Sequence, residues 1–112
     1  MKTFEKQAAQ GDILLNKVEI VPADAKPIKP TGGSFIVSHD AGHPHVLPVT
    51  GVQCFVAADN PLIMYARVEA DDVALTHQRP FDTHEPLAMP PGVYEIRRQR
   101  EWIPEGFRAV AD

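Results

Sequence analysis

Prolines interrupt this chain at short intervals, eleven of them in 112 residues. A proline fixes φ and lacks an N–H, so it breaks helix interiors and central strands alike. That spacing suits short strands punctuated by turns and leaves little room for long helices. Residues 13–21 are aliphatic and β-branched and stop at Pro22, which predicts a first strand. A loop over 22–33 carries three prolines and closes on Gly32-Gly33. Strands are predicted again over 34–49 (a hairpin), 52–57, 62–69, 73–77 and 93–103. Ala58-Asp59-Asn60-Pro61 and Asp71-Asp72 supply turns, and 78–92 forms a proline-rich loop. In 62–69 the alternation puts Leu62, Met64, Ala66 and Val68 on the inner face. Residues 1–9 read as a helical turn or a loose tail with Phe4 against the core, and 107–112 as a second loose tail. The expectation is one all-β domain over 1–112, a small barrel or sandwich of about six to eight short antiparallel strands.

Composition narrows the function classes. The hydrophobic share of 44% and charged share of 23% are ordinary for a soluble globular domain. No apolar run approaches the roughly 20 residues needed to cross a bilayer, and the first ten residues lack a signal-peptide core. The expected location is the cytoplasm. A net charge of −4 argues against nucleic acid as a partner, since such domains display a basic field. Cys54 is the single cysteine, so no disulfide forms within the chain. Its apolar neighbours read as those of a small buried hydrophobe rather than a catalytic thiol.

Three of the five histidines gather in Phe35-Ile36-Val37-Ser38-His39-Asp40-Ala41-Gly42-His43-Pro44-His45-Val46-Leu47. Phe35, Val37 and His39 share one face of the outgoing strand, and His43, His45, Leu47 and Val49 one face of the return. A three-residue loop, Asp40-Ala41-Gly42, would set His39 opposite His43. Pro44 withholds a ladder donor, so its strand is expected at an edge or bulged. Further along, Val73, Leu75 and His77 share a face, and His84 follows in the proline-rich loop.

Histidine is the commonest metal ligand, and a His-x-His pair on a strand supplies two imidazoles from one face. The expected metal ligands are His43, His45, His77 and His84, with His39, Glu85 and Asp82 as additional candidates and Asp40 as a further oxygen donor. Such a nitrogen-and-carboxylate set suits a divalent transition metal: zinc, iron, manganese, nickel or copper. An isolated His-x-His is a weak signal, because histidines also serve as turn residues or satisfied core groups. Two separate clusters beside turns strengthen the metal reading. There is no Gly-rich phosphate loop, nucleophile elbow or Cys-x-x-Cys, and Ser34 and Ser38 have no evident triad. The Arg97-Arg98-Gln99-Arg100 run reads as a solvated, salt-bridged strand face. Glu95 and Glu101 interleave with it, and an arginine rests on Trp102.

Three pieces of the chain carry a resemblance. They are Gln10-Gly11-Asp12-Ile13-Leu14-Leu15 with Ile20-Val21-Pro22, then Gly42-His43-Pro44-His45, then His84 with Leu87-Ala88-Met89-Pro90-Pro91-Gly92-Val93-Tyr94-Glu95 and the strand to Trp102. Together they resemble a family of small bacterial proteins with no assigned activity. That family carries a Gly-His-x-His segment and ends in a Pro-Pro-Gly-Val-Tyr-Glu-like strand. The resemblance covers about residues 10–108. It implies that His43, His45 and His84 belong to the pattern and that His39 does not, while the loop over 78–83 displaces His77. A looser similarity is to cupins, which hold a metal in a β-barrel with a His-x-His pair, a glutamate and a later histidine. The glutamate is missing here, since Val46-Leu47-Pro48-Val49-Thr50 contains no acid.

The expected function is therefore a histidine-rich site for a divalent transition metal, with a small molecule as a further ligand. If catalytic, the metal would act as a Lewis acid or activate water, with Glu85 or Asp82 as base. The rival is a non-enzymatic interaction module. In it the strand over 94–102, with Tyr94, Trp102 and the arginines, contacts a partner or pairs edge to edge in a homodimer.

Overall fold

The computed structural model describes residues 3–10, 13–40, 43–77, 86–98, 100–103 and 106–109. In chain order its strands are β1 (Gln7–Gln10), β2 (Ile13–Val18), β3 (Lys26–Pro27), β4 (Ser34–Asp40), β5 (His43–Pro48) and β6 (Val52–Val56). They continue with β7 (Ile63–Val68), β8 (Ala74–His77), β9 (Leu87–Ala88), β10 (Gly92–Arg98), β11 (Arg100–Ile103) and β12 (Gly106–Ala109). The described residues contain no helix, and so none long and apolar enough to cross a membrane.

Six strands form one sheet in the order β1-β2-β10-β7-β6-β3, four form a second in the order β4-β5-β8-β9, and β11-β12 make a separate ribbon. The pairings are antiparallel. Both sheets feed one hydrophobic core. Ile13, Leu15, Cys54, Met64, Ala66, Tyr94 and Ile96 enter from the first, and Phe35, Val37, Leu47, Leu75 and Leu87 from the second. The alternation predicted for 62–69 holds at Met64, Ala66 and Val68, all buried. The turn before it is closed by Asn60, whose Oδ1 accepts from the Leu62 N–H at 3.0 Å. A short polar side chain bonding its own backbone two residues on is the usual Asx turn.

The barrel expectation is corrected. β1 and β3 end the larger sheet, β4 and β9 end the smaller, and the two do not join. β3 is only two residues long and includes Pro27, which has no N–H to extend a ladder. The chain then leaves that sheet through Thr31-Gly32-Gly33-Ser34. Thr31 and Ser34 exchange backbone bonds of 2.7 and 3.1 Å, and both glycines have positive φ, 58° and 81°. Two positive φ values in a two-residue loop are the backbone of a type I′ turn, which glycine adopts without steric cost.

Strand number also exceeds the expected six to eight, because β1, β3 and β9 are short pieces held by pairing rather than pattern. β1 replaces the expected helical turn or loose tail and pairs residue for residue with β2. Phe4 does pack on the core, its ring 5.9 Å from that of Tyr94 and beneath the Lys17 ammonium at 5.2 Å. Within the strand predicted over 93–103 the described residues form β10, to Arg98, and β11, from Arg100. Part of the second expected tail belongs to β12, which pairs Phe107 with Trp102.

Candidate functional site

The histidine hairpin forms, with a register one residue away from the expected one. Phe35 pairs with Leu47 and Ile36 with Val46. Continued unchanged, that register would set His39 opposite His43, as the sequence predicts. A bulge intervenes between Ile36 and Ser38, adding Val37 to β4. Beyond it Ser38 pairs with His45, His39 with Pro44 and Asp40 with His43. An extra residue on one strand shifts every later partner by one. Val37 itself is fully buried, so core packing holds the bulge in place.

Of the edge or local bulge expected for the Pro44 strand, the edge is corrected, while its ladder with β4 is bulged. β5 is internal, bonded to β4 on one side and β8 on the other. β8 pairs with it at His45 and Val46, stopping short of Pro44. His45 thus stands between Ser38 and His77, with His43 two positions earlier on its own strand. His45 is the buried polar residue of the described core, with none of its surface exposed. His84, Glu85 and Asp82 lie outside the described residues. Among the described residues no group of three histidine, cysteine or acidic side chains is placed to hold a metal ion.

Cys54 behaves as the apolar reading expects. It is 2% exposed, and burial pushes its thiol from 9.0 up to about 12. A neutral, enclosed thiol is a poor nucleophile. On β10, Tyr94 and Ile96 are buried while Glu95 and Arg97 sit on the outer face, joined by a 2.8 Å ion pair. Asn16 Nδ2 adds a 3.2 Å bond to the same Glu95 carboxylate. Of the salt-bridged strand face read from the sequence, the described side chains show the Arg97–Glu95 pair. The side chains of Arg100 and Trp102 lie outside the described part. Because β2 and β7 occupy both edges of β10, residues 92–98 offer no free edge to a second chain.

One feature was not legible in the sequence. A cleft lined by residues of β3, β4, β6 and β7 opens at the β3–β6 end of the larger sheet, and among the described residues no histidine lines it. Its residues are scattered along the chain and carry no common motif.

Comparison with known proteins gives one match. The model of the family DUF8820, a domain of unknown function, covers residues 9–99. No curated protein and no solved structure matches, so the cupin similarity gains no support. The matched span includes all five histidines, the end of β1 and the nine strands from β2 to β10. This chain belongs to the DUF8820 family.

Proposed function

We propose that the β4–β5–β8 end of the smaller sheet binds a divalent transition metal through His43, His45 and His77. His84 of the following loop, with Glu85 or Asp82, would complete the donor set. The observation that carries the reading is the pairing of fully buried His45 with His77 across the β5–β8 ladder. Opposed positions of an antiparallel pair hold their Cβ atoms about 4.5–5.5 Å apart, within reach of one ion shared by two imidazoles. His43, two positions from His45, repeats on the same strand at the spacing that returns a side chain to the same face. Ser38 and Asp40 stand opposite His45 and His43 on β4, and groups of their kind orient a ligating imidazole through its second nitrogen.

Imidazole donors with a carboxylate suit zinc, iron, manganese, nickel or copper. A donor set that left one coordination position open would polarise a bound carbonyl or activate water. Asp40 at the hairpin end then joins Glu85 and Asp82 as a candidate proton acceptor.

Elemental analysis of protein purified without a histidine tag tests the reading. The companions are a His43→Ala/His45→Ala variant and a His77→Ala variant, the latter included because truncating buried His45 can disturb the core. Near-stoichiometric metal in the parent, lost in both folded variants, is the expected result. A metal-free parent that also takes up no added zinc, nickel or iron overturns it.

A further inference from the structure

A cleft of about 310 Å³ lies at the β3–β6 end of the larger sheet, where Phe35 of β4 also reaches it. Its apolar lining comes from Phe35 of the smaller sheet, Cys54 and Phe55 of β6, and Ile28 just after β3. Ile28 is held there by its N–H bond to the Cys54 carbonyl at 2.9 Å. At the rim stand Gln53 and Arg67. The Arg67 Nη1 donates to Gln53 Oε1 at 2.8 Å, and its guanidinium lies 5.2 Å over the Phe55 ring.

An arginine fixed by an amide on one side and a ring beneath has lost much of its rotamer freedom before any ligand arrives. Among the described residues no carboxylate is paired with it. Gln53 uses one donor and leaves the rest of the guanidinium fork available. The buried thiol of Cys54, pushed up to about 12, contributes no opposing negative charge. The cleft volume lies at the small end of the range for ligand pockets, which run from roughly 300 to 1,000 Å³. Such an arrangement selects a compact apolar body carrying one anionic head.

We infer that this cleft binds a small monocarboxylic acid with an aromatic or branched apolar body, its carboxylate on Arg67 and its body against Phe35, Ile28 and Phe55. Among the described residues no histidine lines this cleft, and the inference does not require a metal at the histidine site.

Phenylacetate and its neutral isostere phenylacetamide serve as probes, followed by amide chemical shifts in the full chain. Phenylacetate should produce saturable shifts centred on Ile28, Gln53, Cys54 and Arg67, and bind about tenfold more tightly than phenylacetamide. Arg67→Gln should abolish that preference while keeping the dispersed spectrum of the folded protein, and Arg67→Lys should restore part of it. The inference is overturned if neither probe shifts these amides. It is equally overturned if the amide binds as well as the acid, or if Arg67→Gln leaves the preference intact.

Discussion

His45 and His77 are direct partners across the β5–β8 ladder, 32 positions apart in the chain and opposite each other in the sheet. A ligand shared by two strands ties them together only in the folded state, so metal should act as a stabiliser. At a free concentration a hundredfold above its dissociation constant, zinc should add about 2.7 kcal/mol to the unfolding free energy. Urea denaturation with and without zinc measures this. His77→Ala should lose the increment, and the increment in the parent should shrink on acidification, because ligating imidazoles must be neutral. A zinc response unchanged in His77→Ala would count against the site.

Alkaline stability should follow Cys54. Its thiol rises from 9.0 to about 12 because burial disfavours the thiolate. Between those values the unfolded chain has released the proton and the folded chain has not, so stability falls as pH rises. Tyr94, also pushed up to about 12 by burial, steepens the fall in the upper part of the window. The stability conferred by the neutral thiol is fully present below pH 9. Denaturation midpoints from pH 8 to 11 should decline, and Cys54→Ala should flatten the decline near its lower end. In the folded protein the thiol should stay inert to a disulfide reagent that reacts promptly in urea.

Gly51 links β5 to β6, carrying the chain from one sheet back to the other. Its φ is +72°, and a Cβ there would come within 2.5 Å of the Ala70 Cβ. Its carbonyl accepts from the Glu69 N–H at 2.7 Å, which holds the close approach in place. Gly51→Ala should therefore cost about 2–3 kcal/mol from backbone conformation and contact together. Gly32 has φ +58° but open space around it, so Gly32→Ala should cost about 1 kcal/mol. Equal losses in chemical denaturation would show that the Ala70 contact yields easily.

The first strand is anchored through Phe4, which packs on Tyr94 and lies under Lys17. Phe4→Ala should lower stability by about 1–3 kcal/mol through lost burial and ring contact. It should also speed amide exchange in β1 and leave β7 protected, because β1 is an edge strand and β7 an internal one. Uniform exchange across both strands would mean that β1 does not open by itself.

Much of this architecture is legible without coordinates. Strand identity at 13–18, 52–56 and 63–68, the turn at Asn60 and the burial of Met64, Ala66, Leu75 and Cys54 all follow from short-range rules. Alternation, β-branching and turn residues act within a few positions, so sequence carries them directly. The gathering of His39, His43 and His45 on one hairpin is local in the same sense.

Tertiary structure decided what depends on distant partners. The two-residue strands β3 and β9 exist only because β6 and β8 offer them edges. The bulge at Val37 reset the hairpin register, placing Ser38 rather than Val37 opposite His45. Whether the sheets closed, which histidine met His45, and whether Arg67 came to the rim of a cleft were likewise set by packing. Hydrophobic burial is non-directional and sums over the whole core. Alternation says which side of a strand faces inward, and only the assembled core decides which strand lies beside it.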